Sequence, residues 1–402
     1  MPRNAAHEAD LDAATDVLET CARLLDAKGA GTGWDELSRL PLPEDFRRLS
    51  QTPQNPVFHG EGDVGAHTRM VCEALLASGD LVPKDRTTAA CLVLAALTHD
   101  VGKVRTTRLE NDAWVSPGHA RLGAHIVREH LIRACGLAGT KERMCARELV
   151  CSLVRWHMLP PRVAESDDCA LTLRRIAAIG ELVPSFTWRL LCLLASADAL
   201  GRVATDVHDI LERVELAGLM AQEQGCEDGP YPFFSPSVRR AHLKGRHVAA
   251  DQPLYDATWG EVTLMCGLPG TGKDTWCSRT CPDLPQVSLD DIRREMRIDD
   301  GEQQGVVVQR AWEKARTHLR ALEPFVFNAT SVDRKTRTRC IDLFEAYGAR
   351  VRIVYLETSW ATLLVRNAER EARVPVKAIE RMLARLEPPT PDEAQTVEWL
   401  CV

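Results

Sequence analysis

No apolar run in the 402 residues approaches the roughly 20 consecutive positions that a helix needs to span a bilayer. No membrane partner is therefore expected. The stretch Met1-Pro2-Arg3-Asn4-Ala5-Ala6-His7-Glu8 has no apolar segment behind its one arginine, so no secretory leader is expected and the expected location is the cytoplasm. No CxxC pair occurs among the 14 cysteines. They are dispersed through apolar helical stretches, as with Cys91, Cys151 and Cys192, a pattern of reduced buried thiols rather than of a zinc knuckle or disulfide framework. An excess of positive charge is also missing. A net charge of −7 argues against non-specific coating of nucleic acid and leaves room only for a local basic groove.

There is enough chain for two cores, and the 45% hydrophobic and 27% charged content is that of an ordinary globular protein. No internal repeat is present. Residues 1–55 form an N-terminal extension with one amphipathic segment, Leu11 to Lys28, closed by Gly29-Ala30-Gly31-Thr32-Gly33. From 56 to 222 the pattern is helical. Thr87 to Thr98, Gly123 to Cys135, Glu142 to Trp156 and Phe186 to Leu200 each repeat apolar residues at helical spacing, which predicts an all-α bundle. Residues 223–259 turn to Gly, Pro, aromatic and basic residues and read as a linker. Its basic run Arg239 to His247 could touch a phosphodiester backbone, although a solvated face is the favoured reading. From 260 to 402, the β-rich runs Val262 to Cys266, Gln286 to Ser288, Phe325 to Phe327 and Val351 to Leu356 alternate with helices and predict an α/β domain on a parallel sheet.

Two constellations carry chemistry. The first is Gly267-Leu268-Pro269-Gly270-Thr271-Gly272-Lys273, set between a strand and a helix-like stretch, Asp274 to Arg279. Its glycines let backbone N–H groups turn toward a phosphate at a helix N-terminus, and Lys273 adds a full charge. Where Ser or Thr usually follows the lysine, this chain has Asp274 and then Thr275, each a candidate for holding magnesium. Asp290, at the end of the next strand, is placed to take a proton from an acceptor hydroxyl while Arg293 binds a neighbouring phosphate. Asp291 is the alternative base, and Asp290 could also cap the helix Ile292 to Met296. Arg366, Arg370 and Arg373 fall at i, i+4 and i+7, a lid-like face, which could equally pair with Glu369 and Glu371.

The second constellation is one of histidines and aspartates: His67, His99-Asp100, His119, His157 and Asp198, each on a different predicted helix, with Lys103 just after His99-Asp100. An adjacent imidazole and carboxylate can bind one ion or bridge two. Lys103 could neutralise a phosphate oxygen or snorkel to the surface. His59, His125 and His130 are left out of the set.

Residues 260 to 386 resemble the P-loop module of polynucleotide 5′-kinases, through GxxGxGK, SxDxxR and an arginine stretch ending in Val-Pro. The likeness implies an ATP site of Gly267, Gly270, Thr271, Gly272, Lys273, Asp274, Thr275, Arg366 and Arg370, used with Mg2+ or Mn2+. Lys273 would bind ATP phosphates, Asp290 act as general base, Arg293 engage the acceptor's phosphate and Arg370 lead the lid. Residues 56 to 220 resemble the HD phosphohydrolase superfamily. That likeness implies one metal on His67, His99, Asp100 and Asp198, and a second on His119 and His157, with Asp100 bridging. Such ligands favour transition ions such as Mn2+, Ni2+, Co2+ or Cu2+. Asp100 and Lys103 would be catalytic.

The order of the two modules resembles the bacterial bifunctional end-healing enzymes in which an HD phosphohydrolase is fused to a polynucleotide kinase. The implied partners are RNA or DNA ends with 5′-OH and 3′-phosphate, and a nucleic-acid ligase downstream. The alternative is a nucleotide-metabolism fusion of an HD nucleotidase with a small-molecule kinase.

Overall fold

The computed structural model describes residues 17–23, 33–77, 85–297, 303–370 and 372–402. Most of the Leu11 to Lys28 segment lies outside them; its residues 17–23 are helical. Among the described residues no helix is long and apolar enough to cross a membrane. The chain divides into two units, Met1–Ala138 with Glu142–Tyr231, and Pro232–Val402 with Gly139–Lys141.

The first unit is helical. Its main helices are α1 (Val64–Ala77), α2 (Arg86–Thr98), α3 (His119–Arg133), α4 (Lys141–Trp156), α5 (Trp188–Leu200) and α6 (Val207–Glu223). Helix α2 is the core helix, with every residue from Thr88 to Thr98 buried. A helix apolar on all sides must be surrounded, and α1 and α5 pack against it. Asp85 caps its N-terminus by accepting the Thr88 N–H. A two-stranded hairpin, β1 (Arg108–Glu110) and β2 (Ala113–Val115), precedes α3.

One buried ion cluster ties α3 to α4. Glu148 accepts from Arg128 Nη2 at 2.7 Å and from Arg147 Nε at 2.8 Å, and Arg147 is fully buried. Burial alone would raise the Glu148 carboxyl, but the two guanidiniums outweigh it and bring it down to about 2. Because the folded value is depressed, this stabilisation is complete above the ordinary carboxylate range and is lost as pH falls from about 4.5 toward 2. Glu148→Ala, which leaves two arginines uncompensated, is expected to cost about 3–5 kcal/mol near neutral pH. Urea unfolding of both proteins at pH 7 and pH 3 checks this: the gap should narrow at the lower pH.

The second unit carries a five-stranded, all-parallel sheet of β3 (Glu261–Cys266), β4 (Gln286–Ser288), β5 (Phe325–Asn328), β6 (Arg350–Glu357) and β7 (Thr396–Cys401), in the order β4-β5-β3-β6-β7. Its helices include α7 (Lys273–Thr280), α8 (Leu289–Met296), α9 (Gln304–Arg320), α10 (Arg334–Ala346), α11 (Trp360–Glu369) and α12 (Val376–Leu383). Met265, Cys277, Val326, Val354 and Leu356 form a buried core around the central strand. The chain leaves β3 toward β5 and β4 on one side and later adds β6 and β7 on the other. The carboxyl end of β3 is therefore a topological switch point, where open α/β sheets bind ligands.

The stretch expected as a linker is partly structured. Pro236–Leu243 is a helix of the second unit, N-capped by Ser235 with Pro236 in its first turn, so residues that suggest a loop here begin a helix. Arg239 donates to Gln395 O at 2.8 Å, Arg240 pairs with Glu345 at 2.7 Å, and Lys244 reaches Asp342 at 3.0 Å. Much of the basic run is thus engaged within its own unit.

Candidate metal centre and phosphate-binding loop

The helical packing converts scattered sequence positions into one cluster. His99 and Asp100 follow the C-terminal end of α2, His67 lies on α1, Asp198 on α5, His119 at the first residue of α3 and His157 just past α4. His67 Nε2 lies 3.0 Å from Asp198 Oδ1 and 3.8 Å from Asp100 Oδ2. His99 Nε2 is 3.3 Å from Asp100 Oδ2, while His119 Nε2 and His157 Nε2 are 3.3 and 3.9 Å from its other oxygen. Asp100 therefore stands between two groups, His67 with His99 and His119 with His157, each close enough to hold an ion. Gly102 makes the approach possible, since a Cβ there would lie 2.1 Å from His119 O.

Whether these residues fit a metal is decided by their protons. His99, His119 and His157 each donate Nδ1–H to a backbone carbonyl, of Ala96 at 2.7 Å, Ser116 at 2.8 Å and Val154 at 2.8 Å. In the neutral tautomer this leaves every Nε2 as a bare lone pair, the orientation that metal-binding imidazoles take. The Nε2 atoms of His119 and His157 then face each other at 3.4 Å, and the buried His99 Nε2 has no hydrogen-bond partner. Facing lone pairs and an orphaned buried nitrogen suit a cation.

At His157, Asp100 and Asp198 the electrostatics agree. Burial, then the nearby His99 and His119, push His157 down to about 3, so it is neutral. Burial would raise Asp100, but Lys103 and His99 hold it well below the carboxylate range; Arg202 and His67 do the same for Asp198. Lys103 is buried, not snorkelling: its Nζ lies 2.7 Å from Asp100 Oδ2 and donates to Gln54 Oε1 at 2.8 Å.

In the second unit the glycine-rich loop joins β3 to α7, at the switch point. Gly267 has φ +144°, and a Cβ there would lie 2.4 Å from Leu356 O. Lys273 opens α7 and donates Nζ to Gly267 O at 3.0 Å and Leu268 O at 2.9 Å. Burial brings Lys273 down to about 8, partly offset by Asp274 and Asp290. Thr271 is buried, with its hydroxyl on Leu268 O, and Gly270 and Gly272 both have positive φ. Asp274 accepts from Asn328 Nδ2 at 2.7 Å, which fixes its carboxylate; Thr275 is exposed. Gly267→Ala combines a left-handed backbone with a backbone clash, a strain of about 1–3 kcal/mol. It is expected to weaken ATP binding about tenfold or more, read by titration with a fluorescent ATP analogue.

Asp290 is not the helix cap. The cap of α8 is Ser288, whose hydroxyl accepts the Asp291 N–H at 3.2 Å, because the helix begins at Leu289, earlier than expected. Asp290 instead accepts from Arg293 Nη1 at 2.7 Å and from Arg370 Nη2 at 3.2 Å. Asp291, the alternative base, is engaged by Arg294. The lid arginines do not share one helical face. Helix α11 stops at Glu369 and Arg370 is extended, with φ −73° and ψ 145°. Asn367 ties the chain back past the break: its amide donates to Val374 O at 2.8 Å and accepts Val374 N–H at 3.1 Å, just before Pro375. Arg366 still lies over the loop, its Nη1 3.6 Å from where a Gly272 Cβ would be. Glu371, one expected partner of the arginines, is outside the described residues.

Four residues not singled out from sequence complete the two sites. Arg202, just past the end of α5, contacts both Asp198 oxygens at 3.1 and 3.2 Å. Gln54 holds Lys103, Asn328 holds Asp274, and Glu61 contacts His67 Nδ1 at 3.1 Å.

Comparisons with known proteins agree with this division. The HD domain family model matches residues 64–183 and the AAA domain model residues 262–389. Asp198 lies beyond the first span. The chain is similar to the multifunctional CCA protein of Halorhodospira halophila (strain DSM 244 / SL1), with 35% identity over 129 residues, 32% of this chain and 27% of that protein. It thus spans about a quarter of that relative's length. The chain carries an HD domain and, after it, a P-loop AAA domain, two enzyme-type modules in one polypeptide.

Proposed function

We propose that the protein heals nucleic-acid ends: the P-loop domain phosphorylates a 5′-OH, and the HD domain removes a 3′-phosphate or opens a 2′,3′-cyclic phosphate. The observation that carries the reading is Asp290, a carboxylate held between Arg293 and Arg370 and close enough to Lys273 to influence its charge. Its side chain is 53% exposed. A pocket for a small acceptor encloses its ligand, whereas the end of a polymer needs an open approach, so the exposure favours a polynucleotide over a metabolite.

In the kinase reaction Asp290 takes the proton of the 5′-OH as that oxygen bonds to the γ-phosphorus, and ADP leaves with the bridging oxygen. Arg293 grips the acceptor's nearest phosphate, Arg366 and Arg370 neutralise charge on the moving group, and Asp274, steadied by Asn328, would hold Mg2+ or Mn2+. Displacing Arg370 from Asp290 toward phosphate would free the base.

In the HD domain His67, His99, Asp100 and Asp198 would hold one transition-metal ion, and Asp100, His119 and His157 a second. When bound, such ions clamp a phosphate and supply a water nucleophile at neutral pH. Lys103 and Arg202 neutralise phosphate oxygens while water adds to phosphorus and the bond from phosphorus to the 3′-oxygen breaks; the proton that the water loses passes to that oxygen, leaving inorganic phosphate and a 3′-OH. The product, with 5′-phosphate and 3′-OH, is a ligase substrate.

Incubation with γ-labelled ATP, Mg2+ or Mn2+ and a 5′-OH oligonucleotide should transfer label to the strand. Label that moves only to mononucleosides, or not at all with any metal, would overturn the end-healing reading.

A further inference from the structure

His67 is supported differently from the other three imidazoles of the cluster. Each of those has its Nδ1 hydrogen-bonded to a backbone carbonyl. His67 Nδ1 likewise hydrogen-bonds a backbone carbonyl, Gly201 O at 3.1 Å, but it also lies 3.1 Å from the Glu61 carboxylate oxygen Oε1. The Glu61 side chain is 2% exposed and itself firmly placed. Its Oε1 accepts from His59 Nδ1 at 2.7 Å and its Oε2 from the Val203 N–H at 2.9 Å, while the Gly60 N–H donates to Val203 O at 2.8 Å. The turn His59-Gly60-Glu61-Gly62 is thus pinned to the chain just past α5, the helix that carries Asp198.

We infer that Glu61 is a positioning residue that makes the His67 side of the HD cluster the tighter of its two metal positions, so that the first ion loads there and the second, on His119 and His157, binds more weakly. A carboxylate on the far nitrogen fixes the ring and raises the basicity of Nε2, and its loss typically costs about 10–100-fold in metal affinity. The His119 side has only carbonyl support, and His119 retains 12% exposure, so water competes there. His59, Glu61 and His67 also lie close enough together to be considered as a third ion site. The position of His67 argues otherwise: its Nδ1 faces two acceptors, Gly201 O and Glu61, and so carries a proton, while its Nε2 faces Asp198.

The inference rests on the two-metal reading of the HD domain, and Co2+ titration of the full chain, followed by calorimetry and visible absorbance, separates the two. Wild-type protein should bind two ions in resolved steps. Glu61→Gln keeps the shape and an acceptor but removes the charge. It should weaken the first step about 10–100-fold, leave the second unchanged, and leave the melting temperature of the metal-free protein near wild type. His59→Ala, which leaves Glu61 entirely to His67, should retain tight first-step loading and the same stoichiometry. Equal loading of Glu61→Gln and wild type would overturn the inference, as would a third ion lost in either variant. No Co2+ bound by wild type would overturn the metal reading itself, and the inference with it.

Discussion

Asp100→Ala will abolish phosphate removal by the HD domain while 5′ phosphorylation continues at the wild-type rate. Among the described residues Asp100 is the group shared by both imidazole pairs, at 3.3 Å from His99 and from His119 and at 3.8 and 3.9 Å from His67 and His157. Removing it would take the shared carboxylate from both proposed metal positions at once and leave Lys103 without its buried counter-charge. The loss should exceed the roughly 100-fold that removing a mere supporting group costs. Asp100→Asn, which keeps the shape, should fail likewise, and that result would assign the loss to charge rather than to folding. The assay is release of phosphate from a 3′-phosphate oligonucleotide with Mn2+, Ni2+, Co2+ or Cu2+ in turn. Loss of both activities in a folded variant would contradict separate sites.

The converse substitutions lie in the second unit. Asp290→Asn should lower the turnover of 5′ phosphorylation by about 10²–10⁴-fold, the usual contribution of a positioned general base, with ATP binding nearly unchanged. Lys273→Ala should remove ATP binding together with turnover, because it deletes the only full charge that the loop brings to the phosphates. Arg370→Ala should cost about 10³-fold or more in turnover if it acts on the transferring phosphate as arginines of this type do. Measuring turnover and ATP KM for all three separates the roles: Asp290 and Arg370 belong to turnover, Lys273 to both. Each variant should remove 3′-phosphate normally.

Much of this was legible in the sequence because the signals are local. The run from Thr87 to Thr98 is apolar on every side, and the structure makes it the buried central helix. The glycine-rich loop sits between a strand and a helix, as its pattern implies. What could not be read depended on contacts distant in sequence. Gln54 meets Lys103 across 49 residues, and His67 meets Gly201 across 134. The strand Thr396–Cys401 carries little sequence signal because it is half-buried at the sheet edge and mixes Glu398 with apolar residues, which blurs the alternation. The i, i+4, i+7 spacing of the lid arginines implies one helical face, and spacing alone does not reveal that Asn367 folds back on Val374. Pro236 suggests a loop, yet proline is also favoured in the first turn of a helix.

In the proposed function one chain acts on both ends of a strand through independent sites. A single oligonucleotide carrying a 5′-OH and a 3′-phosphate, incubated with ATP, Mg2+ and Mn2+ and analysed by mass spectrometry, tests it most directly. Wild-type protein should yield 5′-phosphate and 3′-OH, Asp100→Ala only the 5′ change, and Lys273→Ala only the 3′ change. A strand left unaltered at either end by the wild-type protein, with every metal tried, would contradict the account.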